Sequence, residues 1–97
     1  MATSYDYCEY ILDQISDLKM IKCRLMMGEY LLYYNNILFG GLYDNRFLIK
    51  KTITNAKYHL SEASPYEGAK PMLFVEETDD KTYLQQLIID TVSGLKK

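Results

Sequence analysis

A thiol becomes a nucleophile when a base lies within hydrogen-bond reach and a third group orients that base. The residues here whose types could supply such a thiol and base are Cys8, Cys23 and the single histidine, His59. Neither cysteine sits in a strand-turn-helix elbow and no third group accompanies them, so both read as reduced thiols that fill space like small apolar residues. A zinc site fails on ligand count, because two cysteines fifteen positions apart and one histidine do not complete a tetrahedral set. The run Glu76-Glu77-Thr78-Asp79-Asp80 offers oxygens that a divalent cation would accept. Its place before an apolar helical pattern gives it another use, complementing a helix dipole by about 0.3–1 kcal/mol per carboxylate. The sequence therefore predicts no catalytic residues, no cofactor-binding residues, no metal ligands and no enzyme.

Binding chemistry has more candidates. Gly68-Ala69-Lys70 has the glycine and lysine of a phosphate loop but lacks the earlier glycine and the following Ser or Thr, and Pro71 stands where a helix would have to open. Lys70 remains an anion contact by charge and loop position. Arg46, Lys50, Lys51 and Lys57 fall within twelve residues. With Lys70 they make up a candidate patch for nucleic acid or a small anion, with tyrosines nearby to stack on bases. Lysines along a strand also serve simply to guard an exposed edge. Ten tyrosines in 97 residues are suited to a partner surface, since each joins an apolar body to a polar tip. Tyr30, Tyr33, Tyr34 and Tyr43 are the candidate interface, and filling a tryptophan-free core is the competing use.

The elements that must position these residues follow from hydrophobic spacing. Thr3 or Ser4 caps a first helix with Tyr7, Cys8, Ile11, Leu12, Ile15 and Leu18 on its apolar face. After Lys19 short apolar runs alternate with the turn dipeptides Asn35-Asn36 and Asp44-Asn45, which tolerate the positive φ of two-residue hairpins. This predicts a four-stranded antiparallel meander near residues 21–27, 29–34, 37–43 and 46–50. Strand two is apolar on both sides, so the sheet is expected to be either sandwiched between helices or completed by a second copy of the chain. Thr52 or Thr54 starts a short helix through Leu60, with Ile53, Ala56 and Leu60 facing inward. Ser61 to Lys70 reads as a loop, Met72 to Glu76 as a fifth strand. Thr78 or Asp79 caps a last helix whose apolar face is Tyr83, Leu84, Leu87, Ile88, Val92 and Leu95. The fold class is α+β, in one domain spanning 1–97.

Composition bounds the partners. Hydrophobic residues at 48% and charged residues at 25% are ordinary for a globular domain. A net charge of −2 lacks the basic surplus that holding DNA alone requires. The first residues carry no basic region followed by an apolar run, and no window approaches eighteen consecutive apolar residues, so the expectation is a cytoplasmic chain with no membrane association.

Three stretches in order carry a resemblance: Arg24-Leu25-Met26-Met27-Gly28-Glu29-Tyr30, then Leu38-Phe39-Gly40-Gly41-Leu42-Tyr43-Asp44, then Gly68-Ala69-Lys70-Pro71-Met72. Together they resemble the N-terminal domain of the TfoX (Sxy) competence regulators, a bacterial family, over nearly the whole chain. Many distant members have Met-Phe-Gly-Gly where this sequence has Met26-Met27-Gly28-Glu29. The resemblance implies an α+β domain with an antiparallel meander, no catalytic residues, and a link to transcriptional activation of DNA-uptake genes. It also implies that the helical C-terminal half of longer members is missing here. The motif residues Arg24, Met26, Met27, Gly28, Phe39, Gly40, Gly41, Gly68, Lys70 and Pro71 read as mainly structural. Gly28 permits a tight connection, Gly40 and Gly41 a bulge, and Gly68 with Pro71 shapes the loop into the last strand. The function expected is a non-enzymatic interaction module that binds a protein partner, homodimerisation included, and modulates transcription indirectly. The alternative is direct nucleic-acid or small-anion binding.

Overall fold

The computed structural model describes residues 3–96. Ser4 begins the first helix, α1 (Tyr5–Gln14), its hydroxyl accepting a hydrogen bond from the Tyr7 amide. The helix ends at Gln14, short of the predicted turn containing Leu18, and Ile15 closes it as a buried C-cap. A meander follows: β1 (Ile21–Met26), β2 (Glu29–Tyr34), β3 (Ile37–Leu42) and β4 (Phe47–Ile49). Its three connections are two-residue turns with both residues at positive φ, at Met27-Gly28, Asn35-Asn36 and Asp44-Asn45. That is the twist a tight hairpin needs.

The predicted helix over residues 52–60 shortens to one 3-10 turn, Ala56–Tyr58. Two β-branched threonines and Ile53 disfavour helix here, and the Asn55 side chain takes over the hydrogen bonding. Fully buried, it accepts from the Thr52 amide and donates to the Lys50 carbonyl and to Thr91 Oγ1. Ile53, expected inside, is 95% exposed, and Ala56 is exposed as well. The segment read as a loop contains a two-residue strand, β5 (Glu62–Ala63), which pairs with β6 (Met72–Val75). Neither Thr78 nor Asp79 caps the final helix, α2 (Lys81–Leu95). Asp80 does, accepting from the Tyr83 amide.

All six strands form one antiparallel sheet in the order β1-β2-β3-β4-β6-β5. Leu32 pairs with Gly40 and Tyr33 with Leu38, leaving Phe39 as the extra residue of a bulge in β3. A Cβ on Gly40 would stand 2.3 Å from the Leu48 carbonyl oxygen, and one on Gly41 2.6 Å from the Tyr30 carbonyl oxygen. The expected bulge and close approach are both present.

The sheet is covered by helices on one side only. Cys8, Ile11 and Ile15 of α1 and Leu84, Leu87, Ile88 and Val92 of α2 share one core with Leu32, Phe39, Leu42, Phe47, Ile49, Leu73 and Val75. Registration places Leu31, Tyr33, Leu38, Leu48 and Phe74 on the opposite face. The expected sandwich of helices is therefore not what forms, because both helices are spent on the same face. No helix among the described residues is long and apolar enough to cross a membrane.

Candidate functional site

The helix-free face is apolar through its middle and basic at the β1 side. Leu31, Tyr33, Leu38, Met72 and Phe74 are half-buried there, while Lys22 and Arg24 are exposed. Lys22, Arg24, Tyr33 and Asn36 line a shallow hollow of about 300 Å³ with Cys23. Residues 64–71 lie over the β3–β4 side of the same face. Arg46 holds them there, its Nη2 donating to the Ser64 carbonyl at 3.1 Å while its Nε donates to the Tyr43 carbonyl at 3.3 Å. Pro65 is buried and Tyr66 is 67% exposed.

Two hollows flank that proline and tyrosine. One, of about 450 Å³, is lined by Glu29, Asp44, Arg46, Ser64, Glu67 and Gly68 together with Pro65 and Tyr66. Its central carboxylate is occupied, since Glu29 accepts hydrogen bonds from the Thr3 and Asp44 amides and thereby ties the chain start to the β3–β4 turn. The other, of about 320 Å³, is lined by Leu38, Gly40, Tyr43, Lys50, Ala69, Lys70 and Met72, again with Pro65 and Tyr66. Burial raises the Tyr43 phenol above its usual range, with Tyr66 and Glu29 adding to the effect. The Tyr43 ring also lies against Gly41, where a Cβ would be 2.9 Å from its Cε2.

The basic patch expected from sequence divides. Lys51 is paired with Glu62, and Lys57 with Asp90 of α2 at 3.3 Å, where its ammonium also sits 5.7 Å from the Tyr58 ring centre. Arg46 is committed to two main-chain carbonyls. Lys50 and Lys70 alone meet, on the 320 Å³ cavity. The candidate interface divides too. Tyr30 and Tyr34 pack against the core on the helix side, whereas Tyr33 faces the other way and Tyr43 lines the cavity. A two-residue period sends neighbours in β2 to opposite sides, so these four rings form no single surface.

Cys8 and Cys23 approach to 3.9 Å between sulfur atoms, a contact that sequence spacing did not reveal. Burial, then Cys23, pushes the Cys8 thiol up to about 12, and burial raises Cys23 as well, so neither is a ready thiolate. His59 precedes β5, at the edge of the sheet opposite β1 and Cys23. Among the described residues no three His, Cys, Asp or Glu side chains converge as a metal site. The acidic run serves the helices: Asp80 is the cap, Asp79 accepts from the Tyr10 hydroxyl, and the Thr78 carbonyl accepts from Gln14 Nε2.

Comparison with known proteins adds a relative. An uncharacterized 12.7 kDa protein in the trpE 5′ region of Spirochaeta aurantia is 30% identical over 98 residues, covering 98% of this chain and 85% of its own length. The chain belongs to that protein's family. No family model and no solved structure matches it. The matched stretch spans both helices and the whole sheet of this chain.

Proposed function

We propose that this chain is a non-enzymatic interaction module, a relative of the TfoX N-terminal domain that docks a protein partner on the helix-free face of its sheet and acts on transcription through that partner. The observation that carries this reading is the one-sided packing: Leu31, Tyr33, Leu38 and Phe74 are only partly buried, on a face that no helix covers. Apolar side chains left open to solvent on a face without a covering helix suit a docking partner. The raised thiols and the placement of His59 across the sheet support a role without covalent chemistry. A net charge of −2 favours a protein over a nucleic-acid strand as the main partner.

The test compares three tagged proteins in pull-downs from native cytosol at low and high salt, with and without nuclease. They are the unaltered chain, Leu31→Asp on the helix-free face, and Leu25→Asp, which is 62% exposed on the other side. Circular dichroism checks that each folds. The reading expects one salt- and nuclease-resistant partner that survives Leu25→Asp and is lost with Leu31→Asp. Equal recovery with all three proteins, or recovery of nucleic acid alone, would sink it. Light scattering at tens of micromolar shows whether the partner is a second copy of the chain.

A further inference from the structure

The cavity beneath residues 64–71 combines two properties that a small-molecule site uses. Its walls are apolar and aromatic, from Leu38, Met72, Pro65, Tyr43 and Tyr66, and two ammonium groups, Lys50 and Lys70, border it. Among the described residues neither lysine is in an ion pair or a side-chain hydrogen bond, although Lys51 and Lys57 nearby both found carboxylates. A volume of about 320 Å³ lies within the range of small-molecule sites, which are apolar with a few placed polar groups. The floor depends on missing side chains. Gly40 lines the cavity, and Gly41 leaves room for the Tyr43 ring beside the strand.

We propose that this cavity binds a small organic anion with a flat apolar body, the body seated between Tyr43, Tyr66, Leu38 and Met72 and the anionic head held by Lys50 and Lys70. Carboxylate and phosphate heads share the required chemistry. The neighbouring 450 Å³ hollow offers no such site, because Glu29 and Arg46 there already satisfy main-chain groups. The inference is independent of the docking reading, and its test uses no protein partner.

The experiment is calorimetric titration of the full chain with phenyl phosphate and benzoate, with inorganic phosphate as a head without a body and benzyl alcohol as a body without a charge. Tyrosine ring resonances are followed in parallel by NMR. The expected result is saturable binding of phenyl phosphate or benzoate, at least about tenfold tighter than either control, with Tyr43 and Tyr66 signals moving. The tighter of the two anions identifies the head group. Lys70→Met and Lys50→Met should each weaken binding by about tenfold or more, the loss expected of a charge-assisted hydrogen bond. Lys51→Met, adjacent in sequence but paired with Glu62, should leave it unchanged. Lys70 is exposed, so Lys70→Met will fold even if the half-buried Lys50 proves sensitive. No saturable binding, or binding indifferent to both lysines, overturns the proposal. So does an oligothymidylate that binds more than tenfold tighter than phenyl phosphate, since it would give the lysines to a nucleic-acid strand.

Discussion

Two glycines of the motif that led to a family resemblance are constrained for unrelated reasons, and substitution separates them. An added Cβ at Gly40 meets fixed backbone, the Leu48 carbonyl oxygen at 2.3 Å and Ile49 Cα at 2.9 Å. Gly40→Ala should therefore cost at least about 3 kcal/mol in chemical denaturation, the upper end for overpacking. Gly68 has open space around it and needs glycine only for its φ of +86°, so Gly68→Ala should cost about 1 kcal/mol. Between the 3-10 turn and α2, Tyr58 donates a hydrogen bond to Asp90 and is pushed up to about 12 by burial first and by Asp90 second. Its neutral form is the one stabilised, so the contribution is complete below pH 10 and is lost as pH rises through 12. The Asp90 carboxyl is held below its ordinary value, by the Tyr58 hydroxyl foremost and by Lys57 and Gln86 against the opposing effect of burial. Its contribution is present above about pH 4 and fades in acid. Tyr58→Phe should lose about 1.5–3 kcal/mol near neutrality. Melting curves of the two proteins should converge between pH 10 and 12, and a constant gap would contradict this account.

At the scale of elements, what could be read in the sequence was what short-range chemistry dictates. Asn35-Asn36 and Asp44-Asn45 announced hairpins because their side chains tolerate a left-handed backbone, and the strands followed from the turns. The antiparallel meander and both helices were legible for that reason. The pairing of Glu62 and Ala63 with β6 was not, since two residues display no period, and Asp80 rather than Thr78 or Asp79 became the cap because several acceptors stood side by side. The cavity was invisible for a different reason. Lys50 and Lys70 are twenty residues apart, and only the β4–β6 pairing and the Arg46 anchor bring them to one wall. The β1–β2 turn supplies a prediction of its own. Met27 holds a φ of 53° at 97% exposure, a conformation asparagine adopts more readily. Met27→Asn should stabilise the fold by about 0.5–1 kcal/mol in urea, and a loss of stability would show that the methionine makes contacts of its own.

The molecule as a whole is a layered object with its two helices spent on one side, and that asymmetry underlies both the docking face and the anion cavity. Had either helix crossed to the other face, Leu31 and Phe74 would be core residues and residues 64–71 would have no surface to cover. β1 ends the sheet on one side, six residues long, with no strand beyond it among the described residues. Its outer amides and carbonyls can pair with the same strand of another copy, the usual route from a globular protein to a fibre. Lys22 and Arg24 stand on that strand, and in a two-fold pairing of edges their charges would be brought close to those of the opposing copy. The repulsion reaches about 8 Å at physiological ionic strength and about 3 Å at 1 M salt. Concentrated salt therefore weakens the barrier that keeps this protein from adding to itself.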